Sequence, residues 1–342
     1  MRTGRIFVSV LMAAALLGAL APAASARRSV PSWAKEPVRY LKDQGFIDGS
    51  SFRSNKAMRR ADFRALMKVA FGGGFSRTKG EVTAAEVDRA LVKILGKRAV
   101  SDHLADLASP DGWAPKRPAW FGDEIVAREM GLRHDRPVDE DEYEASANEK
   151  LSQADIAYAV WRALTSPSTY GADALAGLEL GSYDPKVRRV IQFAFSLAGT
   201  PYVYAGEWAK STPAGYPYGA QAHGGVDCSG FVWYVLQKKS STYSPPNRPY
   251  KGWAIPERSS AEMAKATKDR LGFGKLEPGD AMFFAANGRK SKPRDVYHVA
   301  LYLGRGWMIH SSNGRAGVSI SPIDKGSWWR SQFLFGRRVI KL

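Results

Sequence analysis

The chemistry open to this chain centres on one thiol. Cys228 is the only cysteine in 342 residues, and it stands in Gly224-Gly225-Val226-Asp227-Cys228-Ser229-Gly230, directly before the apolar run Phe231–Leu236. A thiol becomes a useful nucleophile when a base takes its proton and a third group orients that base. Two of the five histidines, His298 and His310, stand downstream in strand-like surroundings and could fill those two roles. Sulfur would attack a carbonyl carbon, and imidazole would take and return the proton. Such chemistry needs no cofactor. One cysteine and two histidines at these spacings match no common zinc pattern, so no metal is expected. A lone thiol can also be an inert buried residue or half of an intermolecular bridge. Its place between Asp227 and Ser229-Gly230, rather than amid apolar residues, favours the nucleophile.

These side chains need elements to hold them. Asp227 can cap a helix that starts at Cys228 and is closed by Lys238 and Lys239, in keeping with the helix dipole. A first-turn thiol meets free backbone N–H groups and the positive end of that dipole. Both would pull it below the usual value of about 8.5, and the same N–H groups could hold an oxyanion. Leu276–Phe284 (LEPGDAMFF) reads as a turn into a strand, and Val296–Leu303 alternates with a period of two. After the turn Gly304-Arg305-Gly306, Trp307–Ser311 returns as the second strand of a hairpin. Alternate residues share a face, so His298 and His310 can both point toward the cysteine helix. Upstream, Val187–Ala198 is a helix stopped by Gly199, and Thr200–Gly206 (TPYVYAG) forms a turn. A long loop from Glu207 to His223 follows, with His223 read as part of the loop or a subsite.

GTPYVYAGE, GGVDCSGFVWYVL, LEPGDAMFF and YHVALYLGRGWMIHSS occur in that order. Together they resemble the NlpC/P60 family of bacterial cell-wall cysteine peptidases, over about residues 186–342. The resemblance implies a papain-like α+β fold, with Cys228 as nucleophile, His298 as general base and His310 as its orienting partner. It places Tyr202 near the thiol and the substrate amine, with Asp227 and Ser229 on the substrate side. It implies peptidoglycan stem peptides as substrate, cut between D-glutamate and a diamino acid. An N-acetylmuramoyl-L-alanine amidase, and a wall-binding or adhesion protein with a degenerate catalytic half, remain alternatives. This chain departs from the family twice. Ala205 precedes Gly206 where two glycines are usual, and the Glu207–His223 loop is longer than the family's short form.

The remaining sequence sets the context. Residues 1–26 have Arg2 and Arg5, an apolar run from Ile6 to Leu20 and Ala24-Ser25-Ala26, the layout of a cleaved signal peptide. The mature chain is therefore expected to be secreted and wall-associated, with no stable membrane span. Net charge is +17, and from Val187 onward 23 Lys and Arg face 9 Asp and Glu. This balance favours anionic partners; outside a cell, these are acidic wall polymers rather than nucleic acid. Residues 27–165 contain a weak repeat of helix, loop and helix, around Trp33–Phe46 with Met58–Phe71, Val82–Leu95, and Trp120–Leu132 with Leu151–Leu164. This mainly α-helical region resembles S-layer homology repeats. Arg60 of Arg59-Arg60-Ala61-Asp62 takes the place of the arginine that the resemblance makes polymer-binding; the later unit has Gln153 there. A plain helical domain with Trp and Leu in its core is the other reading of this half. Residues 166–185, rich in Gly, Ser, Pro and Ala at their start, are expected to link it to a peptidase domain at 186–342.

Overall fold

The computed structural model describes residues 30–107, 119–134, 145–212, 221, 224–236 and 255–340. Seven helices come first: α1 (Lys35–Asp43), α2 (Arg60–Phe71), α3 (Ala84–Ile94), α4 (Arg98–Leu107), α5 (Phe121–Glu129), α6 (Gln153–Thr165) and α7 (Tyr170–Leu175). The repeated helices fall where the apolar spacing predicts them, and local chemistry sets their ends. Thr83 with Glu86 and Ser152 with Asp155 form capping boxes at the starts of α3 and α6. Gly72, at φ 77°, closes α2 in the left-handed conformation. Short antiparallel bridges, Ala57 to Ser152, Arg59 to Glu81 and Thr83 to Lys150, gather the segments leading into α2, α3 and α6.

The second half opens with α8 (Pro185–Phe195), capped by Asp184 and followed by Gly199 at φ 78°. A two-residue pair, β1 (Glu207–Trp208) with β2 (Gly225–Val226), precedes α9 (Cys228–Leu236) and α10 (Ser260–Lys265). Then come β3 (Ala281–Ala285), β4 (Val296–Gly304), β5 (Trp307–Ser312), β6 (Gly317–Pro322), the short α11 (Trp328–Gln332) and β7 (Phe333–Arg337). The sheet is antiparallel throughout, in the order β6-β5-β4-β3-β7. Its two faces bury different residues. Leu301, Ile309, Val318 and Ile320 join Phe231, Val232 and Val235 of α9 in the main core. Met282, Phe284, Ala300, Tyr302 and Met308 form a second core on the other face, covered by Trp329 of α11.

One continuous core runs from Ala34 to Ile340 through both halves. Residues 166–185, expected as a linker, instead hold α7 and bury Ala172, Leu175 and Leu178 in that core. β6 is an edge strand, and α5 and α7 pack against it. Among the described residues no helix is long and apolar enough to cross a membrane. The expected signal peptide, Lys238, Lys239 and His223 lie outside the described residues.

Candidate active site

Asp227 builds the start of α9. Its Oδ1 accepts the backbone N–H of Gly230 at 2.5 Å and the Ser229 hydroxyl at 2.9 Å. Arg258 ties this cap to the preceding turn, which the sequence alone did not reveal. Its Nη1 donates to Ser229 Oγ at 3.0 Å, its Nε to Glu207 Oε1 at 2.6 Å, and its Nη2 to the carbonyls of Ala205 and Gly206. Asp227 and Ser229, expected on the substrate side, are thus occupied in holding the helix start. Cys228, the next residue along from Asp227, is aimed elsewhere. Its Sγ lies 3.8 Å from the carbonyl oxygen of Tyr297, at the beginning of β4.

His298 and His310 share one face of the hairpin, as alternation predicts, and meet at 2.8 Å from Nε2 to Nδ1. That face is not the one covered by the body of α9. His298 alternates with Ala300 and Tyr302, and His310 with Met308, so both project into the second core, where Trp329 packs 4.7 and 5.0 Å from their ring centres. The thiol comes to the end of the sheet, beside the Tyr297 carbonyl that precedes His298, because α9 begins where β4 begins. Cys228, Tyr202 and His298 line one open cleft of about 420 Å³, together with Tyr297, Ser312, Arg315, Trp328 and Trp329. Arg60 contributes to a different place: its guanidinium bonds both carboxylate oxygens of Glu86 and the Lys79 carbonyl.

Burial sets the protonation states. It pushes the Cys228 thiol up to about 12, and the charge of Asp227 adds to this; the backbone N–H groups of Val299 and Ser229 oppose both and are outweighed. The expected lowering by the helix N-terminus is therefore overturned, since desolvation of the thiolate exceeds what the first-turn donors return. Burial also pulls His298 down to about 3, and it lowers His310 well below its ordinary value, with His298 and Arg315 adding to the shift. The resting site is a neutral thiol beside two neutral imidazoles.

The hydrogen-bonded chain continues past the histidines. His310 Nε2 lies 3.0 Å from Ser321 Oγ, and Ser321 Oγ lies 2.7 Å from Glu129 Oε1 at the end of α5. Ser319 Oγ and Arg315 Nε reach the same oxygen at 2.7 and 3.1 Å. Neither Glu129 nor Ser321 stands in a recognisable motif, and they are 192 residues apart. The pair Trp328-Trp329, between the expected hairpin and the chain end, was the one unread signal in the sequence itself.

Comparisons with known proteins find similarity in this same part of the chain. Residues 199–337 match the model of the NlpC/P60 family. The chain is 30% identical over 152 residues to the probable peptidoglycan endopeptidase LytE of Bacillus subtilis, covering 44% of this chain and 34% of that protein. It is 29% identical over 167 residues to the gamma-DL-glutamyl hydrolase of the same organism, covering 47% of this chain and 32% of that one. The match thus spans about a third of the length of these relatives. Among solved structures, the peptidoglycan hydrolase RipB of Mycobacterium tuberculosis aligns at 27% identity and a TM-score of 0.33, covering 48% of this chain and 76% of that one. Residues 199–337 of this chain carry an NlpC/P60 domain.

Proposed function

We propose that this NlpC/P60 domain makes the chain a secreted, wall-associated cysteine endopeptidase of peptidoglycan stem peptides, cutting between D-glutamate and a diamino acid. The observation that carries this reading is the Cys228 thiol opening on the same cleft as His298, whose other ring nitrogen is held 2.8 Å from His310. A buried thiol serving only as packing would need no histidine pair beside it. Similarity to proteins named as a peptidoglycan endopeptidase and a gamma-DL-glutamyl hydrolase supports the substrate and the bond.

In this mechanism the thiol proton moves to His298 as sulfur attacks the amide carbonyl carbon. Transfer ahead of attack is disfavoured, because it would create two buried charges. The tetrahedral oxyanion is held by the backbone N–H of Cys228, with the Tyr202 hydroxyl beside it. The C–N bond breaks, His298 returns its proton to the leaving amine, and a thioester remains. Water then attacks the thioester with His298 again as base, releasing the acid and restoring the thiol. Arg315, on the cleft wall, suits the free carboxylates of a stem peptide. The helical half is assigned to wall attachment through an anionic polymer. Arg60 would take part only by exchanging Glu86 for a ligand anion.

The test is incubation of the mature chain and its Cys228→Ala variant with purified peptidoglycan, followed by mass spectrometry of released fragments. Cysteine-dependent fragments ending in D-glutamate are expected. Release of whole stem peptides would mean an amidase, and wall binding by both proteins without release would mean an adhesion protein.

A further inference from the structure

Glu129 is a fully buried acid from the helical half, and the reaction above gives it no task. Its Oε1 gathers the hydroxyls of Ser319 and Ser321 and the Nε of Arg315, whereas Oε2 has no hydrogen-bond partner among the described residues. A carboxylate paired with Arg315 can only accept hydrogen bonds. The Ser321 hydroxyl must then donate to it, which leaves an oxygen lone pair facing His310 Nε2 at 3.0 Å. That nitrogen therefore carries the proton. A neutral imidazole has a single N–H, so His310 Nδ1 accepts, and the donor at 2.8 Å must be His298 Nε2. His298 Nδ1 is then bare, and it is the nitrogen left for Cys228.

We propose that Glu129, supplied by the N-terminal helical half, is a positioning residue of the peptidase site: through Ser321 it sets the tautomers of His310 and His298, so that the base nitrogen available to Cys228 carries no proton. This rests on the peptidase reading above. Two further features of the fold serve the same placement. Gly171 lies in α7 at an ordinary helical φ, so no turn requires glycine there; a Cβ at that position would stand 2.3 Å from Glu129 Oε2. Gly171 is the second residue of α7, and its missing Cβ leaves room for the carboxylate. Next to Glu129, the buried Arg128 donates to the carbonyls of Arg315 and Ala316, fastening the end of α5 to the start of β6.

The test uses the full-length chain with ¹⁵N-labelled histidine, reading tautomers by long-range ¹H–¹⁵N spectra in the wild type, E129A, E129Q, S321A and G171A. In the wild type both His298 and His310 should be protonated on Nε2 alone. E129A and S321A should give mixed tautomers and lose about 10- to 100-fold in kcat with KM little changed, the scale on which orienting partners act. E129Q keeps an accepting carbonyl oxygen, so it should restore the tautomers and most of the rate. G171A should resemble E129A in direction, because it displaces the carboxylate. S321A leaves the Glu129–Arg315 pair intact and remains informative if E129A unfolds. A wild-type His298 protonated on Nδ1, or tautomers and kcat unchanged in both E129A and S321A, would overturn the proposal. Should the wild type cut no peptidoglycan, the tautomers and the rate of Cys228 alkylation still decide it. Changes in E129A would support the Glu129 role while the peptidase reading falls, and their absence would sink it.

Discussion

Cys228 and His298 each sit on the neutral side of their ordinary ranges, the thiol raised to about 12 and the imidazole lowered to about 3, both chiefly by burial. A ready-made thiolate–imidazolium pair would react with iodoacetamide at a rate that levels off below pH 8. The neutral pair predicts instead slow alkylation at neutral pH that keeps climbing beyond pH 9. The same burial moves the acid limb of kcat/KM. From sequence alone, the rate should fall on the acid side, because the reaction needs neutral His298. With His298 held at about 3, the profile should stay flat from neutral pH to well below 6. A limb at 6.5 would mean that His298 is solvated in the working enzyme.

The turn before β1 carries a local compromise. Ala205 holds φ at 57°, the left-handed region that favours glycine, and the NlpC/P60 resemblance expects a glycine at this place. The conformation is enforced by its surroundings: Arg258 grips the carbonyls of Ala205 and Gly206, and Gly206 has no room for a Cβ, which would fall 2.6 Å from the Gly225 carbonyl oxygen. Ala205→Gly should therefore raise stability by about 1 kcal/mol, the usual cost of an L-residue held there. Urea denaturation would measure it. A loss of stability would indicate that the Ala205 methyl makes contacts worth more than the strain. Arg258 itself illustrates how a helix start and a distant turn are made into one unit by a single planar side chain.

Across the molecule, the two halves depend on each other. Arg128 and Glu129 reach from α5 into β6, and one core passes through both. The buried histidine pair makes this assembly sensitive to acid. Both imidazoles are held neutral in the folded chain, with pKa values below the unfolded 6.5. Above pH 6.5 neither state takes up protons at these sites, so they do not affect stability. Below it the unfolded chain binds protons that the folded chain refuses, and stability falls as pH drops. Each histidine contributes a slope of about 1.4 kcal/mol per pH unit in that window. His310→Gln should remove one such share, so its unfolding free energy should fall less steeply than that of the wild type between pH 6 and pH 4. Parallel slopes would show that His310 is protonated in the folded state.

Local rules in the chain were enough for much of this. The Asp227 cap, the β4–β5 hairpin, the shared face of His298 and His310 and the repeated helices all follow from turn chemistry and period, which act over a few residues. Three matters were decided by packing between distant segments. The face of the sheet that carries the histidines depends on where α9 and α11 settle, and no period encodes that. The protonation of Cys228 depends on how much water the cleft's walls exclude, so burial outweighed the helix-start argument. Glu129 entered the site through a contact 192 residues long in sequence, between an α5 residue with no motif and a serine on an edge strand. Residue order names the thiol and its imidazoles; only the folded chain brings a carboxylate behind them, because side-chain hydrogen bonds form by proximity in space.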